Sequence, residues 1–294
     1  MAIYVVDVNV LESGLIGSTI DTDPHAKFVI ADAAIVEMCK NQHWLTTMKL
    51  ALRAFDGHQS RVLAAPSVGE LLSTEARLAL PLTPDQVISQ PYTDFVRKLI
   101  TDLASSRADN DIDLQKHIEN ARARLNTADL DAELAKSRTS RYVEILKNRL
   151  PEKILKTIRS RRVEMTDLLA LAHMMTHFIA PKSLQTDYRL SSDDATELSD
   201  SASSNFRFDY LMVRHALLAL RDGGDISTMK PTTELNHQFD QHYVLIASHF
   251  GRILSNDRRV NEAYGDLRSM LATDLQASAD LMQAWFVSEG IAPE

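Results

Sequence analysis

The chain has 294 residues and a formal net charge of −8, and 45% of its residues are hydrophobic. This length and composition allow one large domain or two smaller ones, and the acidic charge argues against a generic nucleic-acid coat protein. The single cysteine, Cys39, excludes a disulfide framework and a cysteine-based zinc site and indicates a reducing compartment. No basic, apolar leader precedes Asp7, and no run of about 18 apolar residues occurs, so we expect a cytoplasmic protein without a signal peptide or membrane span.

The first 80 residues have an α/β pattern. Residues 3–7 are rich in β-branched side chains and predict a buried parallel strand. A short extended piece at 28–30 is followed by a predicted helix at 33–40. A second strand is predicted at 62–65 and a helix at 67–79.

The middle of the chain, from about 81 to 205, has helical periodicity and no convincing strand. Residues 191–205 are rich in serine and aspartate, which predicts a polar, mobile loop at about 187–205. The α/β pattern then returns, with a helix at 206–221, a helix at 241–250 and a short strand at 252–255.

The predicted fold class is therefore α/β, with a small parallel sheet, helices on both faces and a mostly helical insertion. The α/β domain is expected to consist of residues 1–80 and 206–294. The insertion is expected to occupy residues 81–205.

Four acidic residues stand at informative places in this pattern. Asp7 ends the first strand, Glu37 lies on the helix at 33–40, Asp240 is predicted to begin a helix, and Asp257 follows the last strand. The carboxyl ends of parallel strands share one edge of a sheet, so the pattern predicts a carboxylate cluster there. Because clustered carboxylates repel one another, we expect a divalent cation, Mg²⁺ or Mn²⁺, to hold them.

The order of these motifs resembles the PIN-domain nucleases. Members of that family open with a strand-borne aspartate, commonly with an asparagine two positions later, as in the segment Asp7-Val8-Asn9. A glutamate follows about one helix later, a third acid begins a helix, and a fourth follows the next strand in a Thr/Ser-x-Asp motif. Glu37, Asp240 and the segment 255–257 (Ser-Asn-Asp) match these features. The resemblance covers about residues 1–80 and 206–265 and leaves the insertion unexplained.

The resemblance implies a metal-dependent nuclease, most often one that cuts RNA. Asp7 and Asp240 would be direct metal ligands, and Glu37 and Asp257 would hold metal-bound waters or a second ion. Asn9 and Ser255 would orient these ligands through hydrogen bonds, and Asn256 could also contribute. The same resemblance implies RNA as the partner, together with an inhibitor or accessory protein, in a toxin, defence or RNA-processing role.

Other interpretations stay open. The four acids can be unrelated surface or helix-capping residues, or the fold can have lost catalysis. A non-catalytic, partner-binding module is one alternative function. A haloacid-dehalogenase-type phosphatase is another, although that class wants a second aspartate where this chain has Asn9.

Three other sets of side chains are alternatives to the four acids or lie close to them in the sequence. Glu70 follows a strand much as Glu37 follows the first, but the distance of Glu37 from Asp7 suits the family better. His173 and His177 have a spacing that can bind zinc, yet the glutamate that a metalloprotease needs is absent from the HMMTH sequence, so core or partly buried histidines are expected. The remaining histidines near Asp240 are expected at the surface; they are His237, His242 and His249.

A basic segment runs from residue 138 to 162. It contains nine Lys or Arg and two acids, a local charge of +7 (9 − 2), which leaves −15 (−8 − 7) for the rest of the chain. The segment is either a solvated helix face, a docking site for an acidic protein, or a grip on a phosphate backbone. The residues predicted to contact nucleic acid are Lys153, Lys156, Arg159, Arg161 and Arg162.

Overall fold

A computed structural model of the protein describes residues 2–11, 13–40, 42–105, 116, 131–223 and 228–291. It contains a four-stranded sheet in which every paired strand is parallel, flanked by helices, so the predicted α/β class is confirmed. The strand order is β3-β2-β1-β4. The strands are β1 (Ile3–Val6), β2 (Lys27–Ala31), β3 (Val62–Ala65) and β4 (Ile253–Leu254).

Helices make up most of the rest of the described chain. In the amino-terminal part they are α1 (Val8–Leu11), α2 (Leu15–Thr22), α3 (Asp32–Cys39), α4 (Trp44–Leu52), α5 (Val68–Leu78) and α6 (Gln90–Ala104). Further along they are α7 (Ala132–Arg149), α8 (Glu152–Arg159), α9 (Met165–Tyr188), α10 (Ser192–Asp200), α11 (Ser204–Arg221), α12 (Pro231–Phe250), α13 (Arg258–Leu271) and α14 (Leu275–Ser288). None of these described helices has the length and apolar character needed to cross a membrane.

The chain divides into two compact units. Unit 1 comprises residues 1–71, 82–131 and 239–264, and it contains the sheet. Unit 2 comprises residues 72–81, 132–238 and 265–294, and its described elements are helical. This division differs from the predicted boundaries at 80 and 206, because α6 belongs with the sheet and α11 does not. Within the predicted insertion, residues 106–115 and 117–130 lie outside the described part of the chain.

The order of the strands creates a switch point between β1 and β4. From β1 the chain moves outward in one direction through β2 to β3, and β4 then pairs on the opposite side of β1. In the register of that pair, Val6 lies opposite Leu254. In open parallel sheets, a switch point leaves a crevice beyond the carboxyl ends of the strands, where ligands bind.

The outer edge of β3 is covered by α6. The hydroxyl of Thr93 accepts a hydrogen bond from the Ala64 amide at 2.8 Å, and the Arg97 guanidinium donates to the Val62 carbonyl at 2.9 Å. The amide of Ser89 donates to the Ala64 carbonyl at 2.9 Å. These bonds satisfy backbone groups that an open sheet edge would present to other chains.

Two sequence predictions about helices are wrong. Residues 191–205 were expected to be a loop, but they contain α10 and the start of α11. Each of these helices has a serine N-cap, Ser191 and Ser203, so the serines that indicated a loop instead begin helices. Asp240 was expected to begin a helix, but it lies inside α12, which starts nine residues earlier at Pro231, a residue favoured in a first helical turn.

Arg61 ties together the segments that lead into β2 and β3. Its guanidinium donates to the carbonyl oxygens of Ala26 at 2.9 Å and Ile20 at 3.1 Å, and also to that of Asp23. The residue is 9% exposed. It therefore supplies donors to backbone carbonyls that have little access to water.

We predict that Arg61→Met destabilises the protein by about 2–3 kcal/mol, because it leaves buried carbonyl oxygens without donors. The measurement is urea denaturation at neutral pH. Arg53→Met is the matched control, because Arg53 is exposed on the same unit. Equal stability of the two variants would contradict this role for Arg61.

Candidate active site

Asp7 is buried at the carboxyl end of β1 and is held by two side chains. It is 3% exposed. Its Oδ2 accepts hydrogen bonds from Asn9 Nδ2 and Ser255 Oγ, each at 2.6 Å, whereas its Oδ1 accepts one long bond of 3.4 Å from the Asn9 amide. The two short bonds fix the carboxylate and leave Oδ1 with capacity for another partner.

The segment after β4 is locked to the segment after β1. The Asn256 amide donates to Asn9 Oδ1 at 2.9 Å, and the Asp257 amide donates to Ser255 Oγ at 3.0 Å. Asp257 Oδ1 accepts from the Arg259 amide at 2.7 Å in the first turn of α13. Asp257 thus caps a helix, and one of its two oxygens is used in doing so.

Glu37 is engaged at both of its oxygens. The Tyr243 hydroxyl donates to Oε2 at 2.6 Å, and Lys40 Nζ lies 3.5 Å from Oε1. Tyr243 is fully buried on α12, and Lys40 is one helical turn beyond Glu37. Burial raises the pKa of Glu37, although the hydrogen bond from Tyr243 and the charge of Lys40 oppose this.

Asp240 is connected to Glu37 through Lys40, whose ammonium interacts electrostatically with both acids. Burial lowers the pKa of the Lys40 ammonium, and the negative charges of Glu37 and Asp240 oppose that change. Lys40 Nζ also stands 4.2 Å from the centre of the Phe239 ring, beside Asp240. Lys40 therefore compensates charge on two of the predicted acids.

Asp7 interacts electrostatically with Glu37 and with Asp257, but the four acids are not packed together as ligands of one ion. Burial raises the pKa of Asp7, and the charge of Asp257 raises it further, against the hydrogen bonds from Ser255 and Asn9. The charge of Asp7 in turn raises the pKa of Glu37. The four do not form a group with ligand atoms mutually within 4.8 Å; in the part of the chain that the structure describes, one such group of three or more potential ligands was found, and it lies in unit 2.

The two candidate glutamates, Glu37 and Glu70, have different surroundings. Glu37 faces Tyr243 and feels the charge of Asp7, whereas Glu70 is exposed on α5. The HMMTH histidines lie in unit 2, where His173 is buried and its Nδ1 pairs with the Ser278 hydroxyl at 2.9 Å.

The predicted basic contacts are exposed residues of unit 2, on α8 and the turn after it. Arg161 donates to the Asp222 carbonyl at 3.0 Å, and Arg159 lies 3.7 Å from Glu152. Lys153 donates to the Glu289 carbonyl. Three of the five predicted residues therefore already contact other groups of this chain. The other two, Lys156 and Arg162, are exposed side chains on the same segment.

Sequence reasoning missed Lys40 and Tyr243. Each follows a predicted acid by three residues: Lys40, directly after the end of α3, follows Glu37, and Tyr243 follows Asp240 on α12. Residues three apart share a helix face, so this spacing was the available signal.

Comparison with known proteins adds no assignment. No protein-family model, no curated protein and no solved structure matches this chain. The resemblance to the PIN-domain nucleases therefore stays a hypothesis carried by the residues and topology described above.

The raised pKa of Glu37 generates a pH prediction. Its pKa in the fold lies above the usual value of 4.5, so its contribution to stability is complete below that pH and is lost as pH rises through the raised pKa. We expect the difference in free energy of unfolding between wild type and Glu37→Gln to fall over that window, by at most about 1.4 kcal/mol per pH unit.

The measurement is urea denaturation of both proteins in EDTA from about pH 4 to 8, a range that spans the usual pKa of a glutamate. Glu70→Gln is the matched control, because it removes an exposed carboxylate from α5. A wild-type-to-variant difference that is the same at every pH would contradict the assigned environment of Glu37.

Proposed function

We propose that this protein is a divalent-metal-dependent nuclease that hydrolyses phosphodiester bonds in RNA. The single observation that supports it best is the location of Asp7 and Asp257, beyond the carboxyl ends of two neighbouring strands at the switch point of a parallel sheet. The catalytic acids would be Asp7, Glu37, Asp240 and Asp257.

The donor set fits a hard cation such as Mg²⁺ or Mn²⁺. All four side chains offer carboxylate oxygens, which such ions prefer, and Mg²⁺ usually keeps several of its waters. Asp7 Oδ1 is the best direct ligand, because the short hydrogen bonds go to its other oxygen. Glu37 is better suited to hold a metal-bound water, because Tyr243 and Lys40 already engage both of its oxygens.

When bound, the ion would stabilise negative charge on the phosphate and lower the pKa of a bound water. The chain's own residues would keep the ligands in place. Asn9 and Ser255 fix the rotamer of Asp7, and the bond from Asn256 to Asn9 joins the two loops. Lys40 would contribute positive charge close to the phosphate, where charge develops during cleavage.

The basic segment of unit 2 would hold the nucleic-acid backbone. Its exposed cations carry no base-reading pattern, so the contacts would be to phosphates and would depend on salt. RNA is proposed as the substrate because the family that the chain resembles most often cuts it. An inhibitor or accessory protein on the same cations is part of the same proposal.

We predict that Asp7→Asn lowers Mg²⁺- or Mn²⁺-dependent cleavage of a single-stranded RNA by at least about a hundredfold. The variant keeps the shape of the side chain but removes the charge of a ligand, and a metal contributes several kcal/mol to such a reaction. Ser255→Ala should lower cleavage by a smaller factor, about 10–100-fold, because it only releases the Asp7 carboxylate.

Asp56→Asn is the control, since it removes an exposed acid from unit 1, away from these contacts. The same preparations are assayed with para-nitrophenyl phosphate. Hydrolysis of that ester without RNA cleavage would favour the phosphatase alternative. RNA binding without cleavage would favour the partner-binding module. Wild-type cleavage by Asp7→Asn would remove Asp7 from the mechanism.

We also predict that the double variant Lys156→Gln with Arg162→Gln weakens binding to single-stranded RNA and flattens its dependence on salt. Each lost phosphate contact should lower the slope of log K against log salt by about 0.7. These two residues are chosen because the side chains of the other three already contact groups within this chain. The measurement is fluorescence anisotropy at several salt concentrations, with EDTA to prevent cleavage. An unchanged slope would make the segment a protein-docking or structural feature.

A further inference from the structure

A second cluster of potential ligands belongs to unit 2, and it shares no residue with the four acids. Glu234, near the start of α12, is fully buried. His215 Nε2 on α11 is 3.0 Å from its Oε2, and His237 Nδ1, one turn further along α12, is 3.3 Å from its Oε1. The Thr139 hydroxyl on α7 donates to Oε2 at 2.8 Å.

The three ligand atoms are close enough to share one ion. They lie within 4.8 Å of one another, and the rings of His215 and His237 are 5.0 Å apart in an edge-to-face arrangement. Among the residues that the structure describes, these are the three histidine, cysteine or acidic side chains whose ligand atoms all lie this close together.

A buried carboxylate needs a compensating positive charge. Glu234 is 0% exposed, and each of its two oxygens faces a ring nitrogen, His215 Nε2 at one and His237 Nδ1 at the other. An ion with two imidazole ligands would supply the compensating charge while both rings stay neutral.

We propose that His215, Glu234 and His237 form a Zn²⁺ site, which is independent of the nuclease site. Two imidazole nitrogens and one carboxylate oxygen form a donor set that suits Zn²⁺ and that Mg²⁺ does not favour. With metal–ligand distances of about 2.0–2.1 Å, neighbouring ligands of a tetrahedral ion are separated by about 3.3–3.4 Å. The nitrogen–oxygen distances of 3.0 and 3.3 Å go to different oxygens of Glu234, so the carboxylate would bind through both oxygens or turn to present one of them to the ion.

The surroundings suit an open coordination position. The side chains of His215 and His237 are 17% and 15% exposed, so water can reach the cluster and fill the fourth position. Thr139 would orient the carboxylate from behind through its hydrogen bond. The ion would link α11 to α12 and so stabilise unit 2.

The test is metal titration of the full chain after removal of metal with a chelator. Zn²⁺ should bind with one equivalent, raise the Tm by several degrees in excess metal, and remain bound in a large excess of Mg²⁺. Co²⁺ in its place should give the visible absorption of a tetrahedral site, and Zn²⁺ should abolish that absorption.

The double variant His215→Gln with His237→Gln should lose this equivalent of Zn²⁺ and the Co²⁺ spectrum. Its matched control is His25→Gln with His58→Gln, which removes two exposed imidazoles from unit 1. Asp7→Asn should keep the Zn²⁺ equivalent, since the proposed nuclease site is separate. Thr139→Val, which keeps all three ligands, should weaken Zn²⁺ binding about 10–100-fold.

A measurement on the wild type alone tests the Zn²⁺ site even when the double variant does not fold. Zn²⁺ should protect His215 and His237, but not His25, from modification by diethyl pyrocarbonate, as mapped by mass spectrometry. Absence of a tetrahedral Co²⁺ spectrum in the wild type would overturn the proposal. Equal Zn²⁺ stoichiometry in a folded double variant, or equal labelling with and without Zn²⁺, would also overturn it.

Discussion

The parallel pairing of β1 with β4 is the interaction on which the candidate active site depends. It joins segments about 250 residues apart, with Val6 opposite Leu254, and it lets Ser255 donate to Asp7 across a sequence separation of 248. β4 has only two residues, so few ladder bonds support the pairing. The hydrogen bonds beyond the strand ends, from Asn256 to Asn9 and from Ser255 to Asp7, reinforce it. The polar contacts that shape the site therefore also hold the last strand in the sheet.

Charge compensation is the second constraint on this site. Burial raises the pKa of both Asp7 and Glu37. A neighbouring carboxylate raises each pKa further, Asp257 for Asp7 and Asp7 for Glu37. Lys40 and Tyr243 offset part of that cost at Glu37. Asp7 has hydrogen-bond donors but no cation among its direct contacts in the described chain. Because a buried anion needs a counter-charge, this arrangement is consistent with the proposed metal.

The two candidate metal sites differ in chemistry. The proposed site at the sheet edge offers only carboxylate oxygens, which suit a hydrated hard cation. The cluster around Glu234 presents two imidazoles and one carboxylate in close contact, which suits a borderline-soft ion that sheds most of its water. If both ions bind, selectivity follows from the ligand type of each site, and chelators of different preference would separate their effects on cleavage and on stability.

The sequence alone determined the α/β class, the position of Asp7 at the carboxyl end of β1 and the motif that follows β4, because these are local patterns of β-branched residues and strand-end polar groups. The local pattern placed Asp240 at the start of a helix, because aspartate is a favoured N-cap residue. The helix instead begins at Pro231, so Asp240 lies in its interior. The local pattern also could not find the contact of Tyr243 with Glu37 or that of His215 with Glu234, because each of these contacts joins two separate helices. Only the tertiary structure decided which acids share a site, because side chains distant in sequence meet through strand register and helix packing, and neither leaves a periodic mark in the chain.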